Sequence, residues 1–263
     1  MEIESAKAAS ELLVRHWSEG KVLDALPTSL CPANREEGYL IQRQIEALSD
    51  RPLFGWKIAA TSTAGQKHIG IDGPIAGRLL AETVHHDGDT IPFGANRMRV
   101  AEAEFAFRMG HDLPPRDRRY EVSKVLDAVS ELFLAIEIPD SRFADFAKVG
   151  GPQLIADNAC AHRFVLGPQA PASWRQLDLA SHRVVGRVGN HLEREGVGSN
   201  VLGDPRQALT WLANELSTLG IKLASGQTVT TGTCLIPLEI NRGDRVSVDF
   251  GVLGRVACRF TEA

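Results

Sequence analysis

The chain has 263 residues, and its 29 basic and 33 acidic residues give a mild formal net charge of −4. A chain of this size can bury a substantial core as one large domain, or as one domain with a smaller appendage. Basic residues are scattered, no apolar run reaches the length of a membrane span, and residues 1–20 contain acids, unlike a signal peptide. We therefore expect neither a nucleic-acid nor a membrane partner. A reducing cytoplasm is the simplest location, because no C-x-x-C pair joins the four cysteines, Cys31, Cys160, Cys234 and Cys258.

The front of the chain predicts two amphipathic helices, over residues 4–18 and 35–48, followed by a strand over residues 54–60. On that strand Lys57 lies on the opposite face from Trp56 and Ile58. Taken alone, a lysine in this position is typical of a surface side chain that extends its amine into water. Thr61 or Ser62 is the expected cap of a helix that begins near residue 64. Residues 85–89, H-H-D-G-D, favour a hairpin turn over a metal site.

The most informative stretch is a predicted strand over residues 99–109, R-V-A-E-A-E-F-A-F-R-M. Alternation places Glu102 and Glu104 on one face and Phe105 and Phe107 on the other. Two carboxylates side by side in a partly buried site repel each other unless one takes up a proton or a cation binds. Oxygen ligands of this kind suit Mg²⁺ or Mn²⁺. The alternative is an edge strand with a charged outer face.

A third carboxylate occurs downstream, after a predicted helix over residues 120–132. Residues 133–138, F-L-A-I-E-I, read as a short apolar strand that contains Glu137. An ionised carboxylate in an apolar strand is costly without a partner. Glu102, Glu104 and Glu137 together would fill three positions of an octahedral metal shell, leaving the others for water and a chelating substrate.

The back third predicts strands around one helix. A strand is expected over residues 183–189, and Asp204 followed by Pro205 starts a helix that Gly220 ends. Three further strands are expected over residues 228–232, 245–250 and 254–260, the last two forming a hairpin. Dinucleotide-binding, P-loop and G-x-S-x-G patterns are absent from the sequence. Helices in front and strands behind predict an α+β fold.

Four ordered blocks carry a family resemblance: G-W-K-I-A-A-T-S (55–62), E-A-E-F-A-F (102–107), A-I-E-I-P-D-S-R-F-A-D (135–145) and I-A-D-N-A-C-A-H-R-F-V-L-G (155–167). The chain resembles the 2-keto-4-pentenoate hydratase branch of the fumarylacetoacetate hydrolase superfamily, which also contains the 4-oxalocrotonate decarboxylases. The resemblance implies a helical N-terminal section, residues 1–70, packed on a mixed β-sandwich roll, residues 71–263. It also implies Mg²⁺ or Mn²⁺ held by Glu102, Glu104 and Glu137, with Lys57 in the active site.

The implied activity is a metal-dependent hydratase that adds water to a 2-oxo or 2-hydroxydienoic acid during aromatic-compound catabolism. A 4-oxalocrotonate-type decarboxylase is the main alternative, an acylpyruvate hydrolase is disfavoured by Glu137, and an inactive partner subunit remains a further hypothesis. Ile75 replaces an aspartate that many hydratases carry, which weakens the hydratase reading but not the metal site. A homo-oligomer is expected, with a related hydratase or decarboxylase as a further partner.

The predicted substrate-binding residues are Arg142, Asp157 and Cys160. Arg142 either pairs with Asp145 at helical spacing or approaches a substrate carboxylate, and the sequence favours the local pairing. Cys160 is not expected to be a nucleophile, because no motif pairs it with a base.

Overall fold

The computed structural model describes residues 1–262, which form six α-helices and thirteen β-strands. The helices are α1 (Ile3–Glu19), α2 (Arg35–Arg43), α3 (Thr63–His68), α4 (Val122–Asp127), α5 (Gly151–Ala156) and α6 (Pro205–Thr218). The strands are β1 (Gly55–Ala59), β2 (Ile75–Leu79), β3 (Val84–His86), β4 (Thr90–Ile91), β5 (Val100–Met109), β6 (Val129–Ile138), β7 (Arg163–Gln169), β8 (Arg183–Val188), β9 (Leu192–Val197), β10 (Thr228–Thr233), β11 (Leu238–Glu239), β12 (Arg245–Asp249) and β13 (Arg255–Phe260).

Two mixed sheets form the body of the protein and confirm the predicted α+β class. The larger runs β2-β1-β10-β5-β6-β7-β3, with β11 paired to β5, and the smaller runs β4-β13-β12-β8-β9. Aromatic rings join the two sheets, since Phe105 on β5 lies 5.2 Å from Phe250 in an edge-to-face contact. The apolar face of β5 therefore packs into the core, and its acidic face points the other way.

The front helices follow the sequence prediction. On α1 the residues Ala6, Ala9 and Leu13 are buried at helical spacing, and Gly20 ends the helix at φ 66°. Asn34 caps α2 by accepting a hydrogen bond from the Glu37 backbone N–H. The predicted helix over 35–48 is an α-helix to residue 43, and its last turn is the 3₁₀ segment Gln44–Leu48.

The helix predicted over residues 120–132 is wrong in its second half. Helix α4 ends at Asp127, and β6 starts at Val129, four residues before the predicted strand. Leu132 and Leu134 pair with Phe107 and Phe105 on β5. Because ten residues of β5 need a partner along their whole length, sheet pairing overrides the helical apolar stripe.

The hairpin predicted at residues 85–89 is also wrong, although the turn itself is present. Asp89 accepts a hydrogen bond from the His86 backbone N–H at 2.8 Å. Strand β3 pairs with β7 in the larger sheet, whereas β4 pairs with β13 in the smaller one. The turn carries the chain from one sheet to the other. The predicted hairpin near the C-terminal end is confirmed by the antiparallel pairing of β12 with β13.

The division at residue 70 stays a prediction. Strand β1 falls within the first section, yet it pairs with β2 and β10 in the larger sheet.

Within residues 1–262 the four cysteines form no disulfide. None of the helices in that range has the length and apolar character needed to span a membrane.

Candidate functional site

Three glutamates converge on one face of the larger sheet. Glu102 on β5 lies directly opposite Glu137 on β6, and Glu104 is two residues further along the same face. One carboxylate oxygen from each of the three lies within 4.8 Å of the others. The strand period predicted from the sequence placed Glu102 with Glu104, and the antiparallel register adds Glu137.

Burial makes this cluster electrostatically unfavourable without a cation. Glu104 and Glu137 are fully buried, and Glu102 is partly buried. Burial, followed by the neighbouring Glu137 carboxylate, raises the pKa of Glu102 to about 7 and raises the pKa of Glu104 well above its ordinary value. Burial also raises the pKa of Glu137.

Several carboxylate oxygens of the cluster lack hydrogen-bond donors. Glu104 Oε2 accepts from the Gly232 backbone N–H at 2.8 Å and from the Thr230 hydroxyl. In the described part of the chain, Glu104 Oε1 and Glu137 Oε2 have no hydrogen-bond partner, and Glu137 Oε1 has the Lys57 ammonium group beside it. Buried polar atoms are rarely left in this state. Hard, converging oxygens without donors fit a divalent cation such as Mg²⁺ or Mn²⁺.

Lys57 completes the charged cluster from β1. Its Nζ lies 2.9 Å from Glu137 Oε1 in a buried ion pair, and it donates a hydrogen bond to the Ala159 carbonyl at 3.1 Å. Burial acts to lower the pKa of Lys57, but the three carboxylates, Glu137 above all, outweigh it and raise that pKa. Lys57 is therefore a buried ammonium group, and the surface alternative left open by its strand position is wrong.

A strained turn presents the carbonyl that Lys57 contacts. Asn158, Ala159 and Cys160 have positive φ angles of 54°, 51° and 62°, a conformation that costs energy for residues other than glycine. The Asn158 side chain binds both the backbone N–H and the carbonyl of Arg78 on β2, at 2.6 and 2.8 Å. These two hydrogen bonds hold the turn against β2. The only indication of this turn in the sequence is Asn158, because asparagine tolerates the left-handed conformation.

Two residues of β10 that hold Glu104 were missed by the sequence analysis. Thr230 and Gly232 both donate to its carboxylate, and Gly232 has φ 104°. A Cβ on Gly232 would lie 2.3 Å from the Thr61 hydroxyl oxygen, so a side chain does not fit there. The sequence does contain a sign of this close contact, because a glycine interrupts the threonine-rich strand T-V-T-T-G-T.

A cavity of about 1010 Å³ opens beside the cluster and is lined by Lys57 and Glu102. Cys160 and Ile75 also line it, so the predicted position of Cys160 at the substrate pocket agrees with the geometry. Burial raises the pKa of the Cys160 thiol, which therefore stays protonated and is a poor nucleophile.

Arg142 and Asp157 do not line this cavity. The Arg142 guanidinium pairs with Asp140 and lies 5.5 Å from the centre of the Trp17 ring. Asp157 accepts from the Ser141 hydroxyl at 2.6 Å and from the Arg142 backbone N–H at 2.8 Å, and burial raises its pKa to about 7. The predicted contact of these two residues with substrate stays a prediction for which the cavity lining provides no support.

The local partner predicted for Arg142 is wrong. Asp145 pairs with Lys148 at 2.7 Å, whereas Arg142 pairs with the buried Asp140. No helix forms around residue 142, so the spacing assumed for a contact with Asp145 does not arise.

Comparison with known proteins places the chain in one enzyme family. The family model described as fumarylacetoacetate (FAA) hydrolase C-terminal matches residues 67–261, and the chain belongs to this family. Relatives that match most of the chain are named as hydratases. The chain is 30% identical over 259 residues to 2-keto-4-pentenoate hydratase 1 of Dechloromonas aromatica (strain RCB), covering 97% of each protein. It is 30% identical to the 2-oxo-hept-4-ene-1,7-dioate hydratase of Escherichia coli, covering 86% of each.

A solved structure of similar shape is 4-oxalocrotonate decarboxylase from Pseudomonas putida G7, complexed with magnesium and adipate. It superposes with a TM-score of 0.90 at 25% identity, and the match covers 99% of this chain and 98% of that one. The resemblance seen in the sequence is thus confirmed for the family and for the fold.

Proposed function

We propose that the protein is a metal-dependent hydro-lyase that hydrates a 2-hydroxydienoic acid to a 4-hydroxy-2-oxo acid. The observation that carries the proposal is the group of three buried glutamates beside a cavity, with carboxylate oxygens that lack hydrogen-bond donors. The hydratases that match the chain over nearly its whole length support the reaction class.

Glu102, Glu104 and Glu137 are the proposed ligands of the cation, and Mg²⁺ is the first choice, with Mn²⁺ as the alternative. Their hard oxygens suit these ions, and the decarboxylase of similar structure was solved with magnesium. Such an ion supplies Lewis-acid polarisation of a carbonyl or enolate oxygen.

Lys57 is the proposed proton donor of the site. Its ammonium group is held between Glu137 and the Ala159 carbonyl, and it lines the cavity that admits substrate. A cation in this position would donate a hydrogen bond to the 2-oxygen as negative charge develops there. Because its pKa is raised, Lys57 acts as a donor in its resting state and not as a base.

The reaction then needs one proton transfer and one addition. The diene takes up a proton at its far end as the 2-hydroxyl becomes a ketone, and water adds at C4 of the conjugated product. Glu102 lines the cavity and, as a proposed ligand of the cation, is ionised when the cation is bound. Thr230 and Gly232 orient Glu104 through their two donors.

Decarboxylation is the second candidate, and Ile75 favours it. This side chain lines the cavity where the resemblance implies a carboxylate in many hydratases. A cavity without that carboxylate has one group fewer to handle the protons of hydration. Loss of CO₂ from a 2-oxo diacid would leave an enolate, and the same groups would stabilise it: Lys57 as hydrogen-bond donor and the three glutamates as ligands of the cation.

An assay with two substrates separates these candidates. Purified protein with Mg²⁺ is given 2-hydroxypenta-2,4-dienoate, and loss of the diene absorbance is followed together with formation of the 4-hydroxy-2-oxo acid. It is then given 4-oxalocrotonate, and CO₂ is measured. Hydration without CO₂ supports the first proposal, and CO₂ release supports the second. Turnover of neither substrate, with metal bound, would favour the inactive-partner hypothesis.

The cellular setting remains part of the proposal. A role in the breakdown of aromatic compounds follows from the implied substrate, a cytoplasmic location is consistent with the four unpaired cysteines, and self-association is expected from the family. Gel filtration with light scattering tests the oligomer, and co-purification with a related decarboxylase or hydratase tests the mixed complex.

A further inference from the structure

The cavity has few charged groups with which to bind a second carboxylate of a substrate. Among its lining residues the acidic and basic side chains are Lys57, Glu102 and His68. Lys57 is already engaged by Glu137 at the acidic cluster. A carboxylate at the far end of a substrate would thus meet no free lysine or arginine there, and its desolvation would be poorly compensated.

Apolar side chains line the cavity on the β5 side. Strand β11 pairs antiparallel with β5, and residues 98–100 and 235–237 immediately precede the paired residues Ala101 and Leu238. The apolar residues of these two segments that line the cavity are Met98, Val100, Leu235, Ile236 and Pro237. Arg97 and Arg99 flank Met98 in the sequence but do not line the cavity.

Apolar residues from other segments also line the cavity, namely Ile69, Ile75, Phe146 and Leu154. His68 contacts the Phe146 ring edge-on, with ring centroids 5.9 Å apart.

The size of the cavity exceeds what a five-carbon acid requires. At about 1010 Å³ it has the volume of sites that enclose drug-sized ligands. A pentadienoate has only about eight non-hydrogen atoms and would leave the apolar lining mostly uncovered, since such sites usually bury most of the ligand surface. Ile236 illustrates this, because its side chain lines the cavity and is 71% exposed.

Building on the proposed function, we infer that the natural substrate is a 2-oxo or 2-hydroxydienoic acid with an uncharged apolar substituent at the end remote from its carboxylate. The acidic cluster and Lys57 receive the 2-oxo acid end, and the apolar lining receives the tail. Ile236 is a specificity-determining residue at this lining. The E. coli relative is named for a seven-carbon diacid, so this inference separates the two proteins by substrate charge.

Binding of unreactive analogues tests the inference without requiring turnover. With Mg²⁺ present, calorimetry compares 2-oxopentanoate, 2-oxononanoate and 2-oxononanedioate. Each buried methylene should tighten binding about fourfold, so the nine-carbon monoacid should bind at least about tenfold more tightly than the five-carbon acid. The diacid of the same length should lose this gain. Equal or tighter binding of the diacid would overturn the inference.

A charge placed in the lining should reverse this preference. Ile236→Arg is expected to tighten binding of the diacid by up to about fivefold and to weaken binding of the nine-carbon monoacid. Val252→Arg is the matched control, because Val252 is 76% exposed, is of similar character and does not line the cavity. The control should bind all three acids as the parent does. An unchanged preference in Ile236→Arg, with the same thermal stability as the control, would remove Ile236 from the proposed role.

These outcomes are distinct from failure of the proposed function. If the protein hydrates dienoates but prefers the diacid, only the inference about the tail is wrong. If the monoacids bind in the expected order while no dienoate is hydrated or decarboxylated, the tail preference stands and the reaction is wrong.

Discussion

Binding of Mg²⁺ to the three glutamates should release protons and depend steeply on pH. A carboxylate must be ionised to bind a metal ion. Burial and Glu137 raise the pKa of Glu102 to about 7, which leaves that group half protonated at pH 7 in the metal-free protein. Burial and the neighbouring carboxylates also raise the pKa of Glu104 well above its ordinary value. The metal should therefore displace about one to two protons at pH 7.

The size of the effect follows from this proton count. Each proton released makes the association constant rise about tenfold per pH unit. Affinity for Mg²⁺ should then increase at least about tenfold between pH 6 and pH 7, and less steeply once Glu102 is ionised. Calorimetric titrations in two buffers with different ionisation enthalpies measure the number of protons directly, and the same titrations at several pH values measure the slope.

A pair of variants assigns the released protons. Glu104→Gln should bind Mg²⁺ more weakly and should release about one proton fewer, since the amide has none to lose. Glu131→Gln is the matched control, because Glu131 lies on the same strand as Glu137 and pairs with Arg108 outside the cluster. It should match the parent in both quantities. Affinity that is independent of pH from 6 to 8, with no proton released by the parent, would refute the reasoning about the cluster.

Three further predictions concern the same site. Lys57→Met should keep Mg²⁺ affinity within about tenfold of the parent but lose turnover, because an ammonium group is a donor and not a metal ligand; turnover close to the parent's would exclude Lys57 as the proton donor. Gly232→Ala should lower the melting temperature and weaken Mg²⁺ binding, because the new Cβ would clash with Thr61 and displace the backbone N–H that donates to Glu104. Gly226→Ala is the control: Gly226 also has a positive φ but has open space around it, so this variant should change stability only. In chelator, the free energy of unfolding should fall by at least about 2.5 kcal/mol as pH rises from 4.5 to 7, because ionising Glu102 in the folded protein, where its pKa is raised to about 7, costs more than in the unfolded chain. Thermal melts should show this loss, and Glu104→Gln should reduce it. A flat profile in the parent would contradict the prediction.

The candidate metal ligands could be found from the sequence because they depend on local periodicity. The two-residue repeat of a strand is enough to place Glu102 with Glu104, opposite the aromatic residues that enter the core. Glu137 stood out because a charged residue inside an apolar strand needs a partner. The order of the four sequence blocks also identified the family, and the match to a relative extends along 97% of the chain.

Pairing between distant segments could not be read in the same way. Three pairings depend on how strands and turns pack in three dimensions. They are Glu102 opposite Glu137, the ion pair of Lys57 with Glu137, and the ion pair of Arg142 with Asp140. The prediction of a helix over residues 120–132 was wrong for this reason, because the second half of that segment pairs with β5 as a strand.

By itself, the sequence determined the composition of the site: three carboxylates, one lysine and the elements that carry them. The tertiary structure alone decided how their charges interact and what surrounds them. It kept the buried Lys57 an ammonium ion by placing it against carboxylates, and it gathered apolar residues from distant segments into one cavity. The physical reason is that periodicity is a property of neighbouring residues, whereas burial, charge coupling and cavity shape arise only when remote segments meet.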